Sequence, residues 1–331
     1  MPRSAPLYRI VLLESFRLSW RNKFLWVFGF FAAFATGGGV YELVVRWLNV
    51  VIVRGTSLTL PPIRAFLLPA FQPQSGGTLA AAVAVGSATI VVALLALFLW
   101  AIMVSQGALV GSVSRISRGS RSNFQRGFAI GVGSFWRVLA VNIVSRALIL
   151  LSLIVAGGPL LLASTRESAG AVAIAFVSFL IFIPLSLAIS FLAIYAVAAM
   201  LSGNLSFAAA VQKSIKFFAA NWLISLEMAA ILLLVNIVFG VMLVLALMPL
   251  SIPFILLFLA ATVLGAPALF MVIFALAGIA FVAIVAVAGS FLSTFEVTSW
   301  TLLYLHLSER KKVPKIIRTL QAIPAAFGRR S

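Results

Sequence analysis

Long apolar runs, each preceded by a short stretch of mixed polar, basic and aromatic residues, set the rhythm of this chain. They fall at about 24–53, 78–112, 135–163, 169–203, 222–250 and 252–306. Hydrophobic positions within them are continuous rather than alternating, and the runs exceed the ~20 residues that a spanning helix needs. A transmembrane barrel would show short alternating segments instead. The pattern predicts an all-α integral membrane protein: six transmembrane helices as three hairpins with cytoplasmic amphipathic connecting helices.

The stretches between the runs complete the expected organisation. Residues 1–23 read as an amphipathic interfacial segment on the cytoplasmic face, and 24–308 as the six-helix membrane domain. Residues 54–77 carry Pro61, Pro62, Pro69, Pro73 and the pair Gly76 and Gly77, which predicts an outer loop. The connections 112–134 and 204–221 are basic, and 309–331 is a basic cytoplasmic tail. In the last block Pro253 and Pro267 bracket a piece too short to cross a bilayer, so 251–267 is expected to be an outer hairpin.

A motif recurs where three of the runs begin. Ser15, Phe16, Arg17 and Leu18 are followed after a gap of three by Asn22, then Phe24, Leu25 and Trp26. Ser214, Ile215, Lys216 and Phe217 are followed at the same spacing by Asn221 and Trp222. Gly127, Phe128, Ala129 and Ile130, then Ser134, Phe135 and Trp136, form a degenerate middle copy. Repetition at fixed spacing signals one supersecondary unit used several times. Here the unit reads as an interfacial helix, an Asn or Ser that caps the next helix or turns the chain, and an aromatic anchor. Trp20, Trp26, Trp136, Trp222, Trp300 and Tyr304 would all form that inner aromatic belt.

Charge orients the bundle. With six spans, 18 of the 24 Lys and Arg residues fall on the side that holds both termini. Seven spans would put the tail, with Arg310, Lys311, Lys312 and Lys315, on the opposite side, against the positive-inside rule. The net charge of +18 is read as topology and attraction to anionic headgroups rather than nucleic-acid binding. Arg115, Arg118, Arg121, Arg126, Arg310, Lys311, Lys312 and Lys315 are the candidate anionic-lipid contacts. The expected location is the cell membrane, multi-pass, with both termini cytoplasmic.

The stretches from Gly127 and Phe128 to Trp136 and Arg137, from Ser206 to Asn221 and Trp222, and from Thr301 to Leu307 carry a resemblance. The chain resembles the membrane domain fused to some bacterial glycerophosphoryl diester phosphodiesterases, and its stand-alone relatives of unknown function. The resemblance implies three helical hairpins over essentially the whole chain and, with the preference for Arg over Lys, a bacterial source. The catalytic domain of those enzymes has no counterpart here, so the resemblance does not imply their activity.

Composition removes most chemistry. The chain has no cysteine, no aspartate, one histidine and six acidic residues, all glutamate. A metal-dependent phosphodiesterase needs several carboxylates and imidazoles around its cation. There is no Gly-Lys pair for a phosphate-binding loop, and no nucleophile elbow for a triad built on His306. No catalytic residues, metal ligands or cofactors are expected, and His306 reads as an interfacial residue.

Ionisable residues inside predicted spans are the functional candidates. Arg146 lies ~16 Å beyond Phe135, and Glu296 lies ~15 Å before His306, both near the midplane. Glu227 is shallower, just past Trp222, and Asn142 sits one turn before Arg146. Arg146 and Glu296 are read either as a structural ion pair or as walls of a polar cavity that Glu227 and Asn142 would also line. Gly107-x-x-x-Gly111 and Ala261-x-x-x-Gly265 permit close helix contact. The expected function is a non-catalytic scaffold or accessory subunit whose partners are membrane lipids and other membrane subunits. The alternative is a transporter or lipid-handling permease with a polar midplane site.

Overall fold

The computed structural model describes residues 7–35, 78–166 and 169–309, so the loop 54–77 and residues 310–331 of the tail lie outside the described residues. The architecture is all-α. Helix α1 spans Leu7–Arg21 and α2 Phe24–Ala35. Helices α3 (Thr78–Ser117), α4 (Phe124–Arg166), α5 (Ala169–Gly203), α6 (Phe207–Val263) and α7 (Pro267–Glu309) follow. Each of these last five is long and apolar enough to cross a bilayer.

Neighbour packing closes a ring. Helix α2 packs on α3, α3 on α4, α4 on α5, α5 on α6, α6 on α7, and α7 back on α2. Helices α3, α5 and α7 also touch one another inside the ring, and α1 lies across α7. Buried side chains concentrate in the half of the bundle where the Lys and Arg residues lie, here termed the basic end. They run from Ile102 to Ser114 on α3, Phe191 to Met200 on α5 and Ser290 to Leu307 on α7. Toward the distal end most large apolar residues are exposed, including Leu150, Leu180, Leu245 and Leu256. Helix α7 has 43 residues, about 64 Å at 1.5 Å per residue, roughly twice a bilayer's hydrocarbon thickness.

Small residues explain the tight basic end. A Cβ on Gly131 would overlap the Val104 carbonyl, and one on Gly107 would press on Ser134 Oγ, so α3 and α4 approach at backbone distance. Gly107-x-x-x-Gly111 is therefore an internal packing face. Gly29 of α2 faces Thr294 and Ser290 of α7 in the same way, and Thr294 Oγ1 donates to the Leu25 carbonyl at 3.2 Å.

Three helix ends share one device. At the close of α3, α5 and α6 a residue takes positive φ: Gly119 (81°), Asn204 (47°) and Gly265 (59°). The following amide then reaches back five residues, Ser120 to Arg115, Leu205 to Met200 and Ala266 to Ala261. This satisfies carbonyls that the helix itself leaves open. Gly265 thus makes a turn, and no neighbour lies within 4 Å of where its Cβ would be. Of the pair Ala261 and Gly265, Ala261 is buried and Gly265 is open.

Other expectations shift too. Residues 251–263 do not form a separate outer hairpin; α6 continues through Pro249 and Pro253 to Val263, and the turn before Pro267 is short. Residues 112–134 contain no separate connecting helix, because α3 runs to Ser117 and α4 starts at Phe124. The 204–221 connection does hold a helix, set off from the rest of α6 by the non-helical Asn221 (φ −133°, ψ 21°).

The repeated motif has a common geometry. Asn22 Nδ2 donates to the Leu18 carbonyl at 2.9 Å and Asn221 Nδ2 to the Phe217 carbonyl at 2.9 Å. Ser134 Oγ donates to the Ile130 carbonyl at 2.8 Å. Each polar residue bonds back to the carbonyl four residues before it, instead of capping the next helix, and the Leu18 carbonyl also accepts from the Asn22 backbone amide at 3.1 Å. In the middle copy α4 passes through without a break.

The aromatic belt is only partly as expected. Trp20, Trp136 and Trp222 are exposed, at 54%, 76% and 55%. Trp300 and Tyr304 are interior residues, because α7 is enclosed by α1, α2, α3, α5 and α6. Trp300 packs on Phe191 and Tyr195, and Tyr304 on Phe217.

Candidate functional site

Helix rise alone puts several polar residues at one depth. Arg137 Nη1 donates to Asn204 Oδ1 at 3.3 Å, and Arg118 Nη1 to the Ser202 carbonyl at 3.0 Å, which marks a level near the basic end. Counting inward from it, Arg146 on α4, Gln106 on α3, Ser190 on α5 and Glu296 on α7 all fall about 14–18 Å deep. A cavity of about 320 Å³ opens at this level. Its walls include Ala35 of α2, Gln106, Asn142, Ser145, Arg146, Ser190, Glu296, Trp300 and Thr301. The remaining lining is aliphatic, from Val110, Val141, Ile149, Ile194 and Val197. That volume lies within the usual range for small-ligand pockets.

Arg146 and Glu296 line this one cavity without pairing. Among the described residues, the ion pair within 4 Å is His306 with Glu14, and no pair joins Arg146 to Glu296. Arg146 Nη2 donates instead to the Ala35 carbonyl at 2.6 Å, and its side chain is exposed at the cavity. The Asn236 side chain of α6 lies near Glu296, while its Nδ2 donates to the Leu232 carbonyl at 3.1 Å. Asn142 Nδ2 donates to Gln106 Oε1 at 2.8 Å and to the Val138 carbonyl at 2.9 Å. Arg146 is thus held by a neutral carbonyl and not by Glu296.

Glu227 is elsewhere. It accepts a hydrogen bond from the Tyr8 hydroxyl and ties α1 to α6 near the basic end. His306 joins the same seat: Nε2 lies 3.4 Å from Glu14 of α1, and Nδ1 faces the Leu302 carbonyl at 2.9 Å. Trp26 Nε1 donates to the Ser19 carbonyl at 2.9 Å. Ser15 and Ser19 are buried beneath α1.

Arg115, Arg118, Arg121 and Arg126 are all exposed at the basic end, with Arg126 Nη1 donating to the Arg121 carbonyl at 3.3 Å. Arg310, Lys311, Lys312 and Lys315 lie outside the described residues. Among the described residues no group of three His, Cys, Asp or Glu side chains is placed to hold a metal.

Gln106, Asn236 and Tyr195 are site or core polar residues that the sequence pattern did not single out. For the two amides the signal was present, as each is an isolated polar residue in an apolar run. Tyr195 is fully buried and its hydroxyl is 2.7 Å from Ser225 Oγ. No protein family, curated protein or solved structure matches this chain.

Proposed function

We propose that the chain is a six-span bundle of three hairpins, with α2 opening the first span, that works as a lipid-handling permease. The observation that carries this is Arg146 and Glu296 lining one cavity near the midplane without pairing, with Arg146 bonded instead to the Ala35 carbonyl. A structural ion pair would have been the cheapest way to keep two such charges in a bilayer. Their separation leaves both for a ligand. The exposed aliphatic side chains on the distal halves of the helices support lipid as the source of that ligand.

In this reading the basic end is cytoplasmic, and Arg115, Arg118, Arg121 and Arg126 rest on anionic headgroups. No catalytic step is assigned to the chain. The resemblance to the membrane domain of bacterial glycerophosphoryl diester phosphodiesterases bears on the three-hairpin plan alone.

The test is transbilayer movement of a fluorescent phospholipid in vesicles containing the purified protein, followed by quenching from outside with dithionite. Faster loss of the inner-leaflet signal than in protein-free vesicles, and slower loss with Arg146→Gln, would support the reading. Protein-containing vesicles that behave like empty ones would leave the scaffold reading. That second reading rests on the exposed apolar length of α6 and α7, beyond what one bilayer covers, as a surface for a further membrane subunit.

A further inference from the structure

The charges of the cavity restrict its ligand. On α4, Arg146 uses one N–H of Nη2 on the Ala35 carbonyl, and a guanidinium has five N–H donors. On α7, Glu296 lines the cavity unpaired with Arg146, and a carboxylate has about four lone-pair sites. A purely anionic ligand would meet Arg146 but set its charge against Glu296. A metal cation would meet Glu296 but leave Arg146 without a counter-charge. At this depth an uncompensated charge is strongly disfavoured. A ligand with one positive and one negative group satisfies both walls.

The neutral residues sharpen the choice. Trp300 lines the same cavity, and an indole ring attracts a cation. Ser145, Ser190 and Thr301 add hydroxyls on three different helices. Because Asn142 donates to Gln106 Oε1, the Gln106 amide nitrogen keeps its donors for an anion. Arginine matches phosphate or carboxylate oxygens through two parallel bonds.

We propose that the cavity binds an ammonium–phosphate zwitterion: the phosphate on Arg146 and Gln106, the ammonium on Glu296 and Trp300. This rests on the lipid-handling reading above and names its substrate class as an aminophospholipid headgroup that enters sideways with its acyl chains along the exposed distal helices. A primary ammonium suits Glu296 because it donates hydrogen bonds to a carboxylate.

The experiment is native mass spectrometry of the full chain released from nanodiscs of equal parts phosphatidylethanolamine and phosphatidylglycerol. One charge-assisted contact of ~1.5 kcal/mol predicts about tenfold enrichment of bound phosphatidylethanolamine. Glu296→Gln should remove the preference, Arg146→Gln should lower retention of both lipids, and Glu14→Gln on α1, outside the cavity, should change neither. Equal retention of the two lipids by the unsubstituted protein overturns the headgroup assignment while leaving lipid handling in place. Absence of any retained lipid overturns both. Thermal protection by soluble phosphoethanolamine, with no lipid enrichment, overturns the lipid source and places the ligand in the aqueous phase. The lipid comparison needs no variant, so a substitution that fails to fold does not blunt it.

Discussion

Asn22 and Asn221, 199 positions apart, make the same bond: each donates its side-chain amide to the carbonyl four residues earlier, at 2.9 Å in both cases. At both places one helix stops and a more apolar one begins. The shared bond makes the repeat a structural fact about how the chain passes from one helix into the next. Replacing either Asn by Ala should lower stability by about 1 kcal/mol, and by similar amounts for the two. Ser134→Ala should cost less, because α4 runs straight on through this position. Thermal unfolding in mild detergent, followed by tryptophan fluorescence, compares the three.

Glycines at the α3–α4 and α2–α7 crossings should behave oppositely to an open one. Gly131→Ala and Gly29→Ala each put a methyl group onto backbone and side-chain atoms of the facing helix, which predicts losses of about 1–3 kcal/mol. Gly133 has open space within 4 Å, so Gly133→Ala should stabilise α4 by about 0.5–1 kcal/mol. Midpoint shifts of opposite sign in one unfolding assay would bear this out.

The buried pair between α5 and α6 predicts an asymmetry. Ser225 Oγ donates to the Asn221 carbonyl at 3.0 Å, so its single proton is spent and the Tyr195 hydroxyl is the donor between the two. Tyr195→Phe removes that donor but leaves Ser225 its other bond, a loss of about 0.5–1.5 kcal/mol. Ser225→Ala strands a buried tyrosine hydroxyl and should cost more, about 1–3 kcal/mol. A larger effect for the tyrosine change would show that the proton runs the other way.

Helix α1 should be held chiefly by Tyr8. Its ring is buried and its hydroxyl reaches Glu227, whereas the Glu14 and His306 side chains are 38% and 28% exposed. A solvent-screened pair of that kind contributes little. Hydrogen exchange over 7–21 should accelerate clearly in Tyr8→Phe and only slightly in Glu14→Gln. Comparable acceleration in both would place the anchor at His306 instead.

How much of the site was legible follows from what helices conserve. Depth is a count of residues times a fixed rise, so Arg146, Asn142 and Glu296 could be assigned to one level from sequence, and one cavity does bring them together. Direction around the axis is another matter. Helices apolar on every side offer no moment to say which face points inward. For that reason Trp300 and Tyr304 read as belt residues yet lie in the core, and Glu227 read as a cavity wall yet holds α1.

By itself the sequence determined an all-α chain with long apolar helices, the residue types it lacks, and the Asn22 and Asn221 points where one helix gives way to the next. Composition and spacing are one-dimensional properties, and these features depend on nothing else. Only the tertiary structure decided that α3, α5 and α7 meet inside a ring, that glycines set two of the crossings, and that Arg146 and Glu296 share a cavity without touching. Those outcomes depend on helix rotation and on which group of a distant helix happens to be nearest, as the Ala35 carbonyl is for Arg146. No local pattern encodes such partners, because they come together only when distant helices pack.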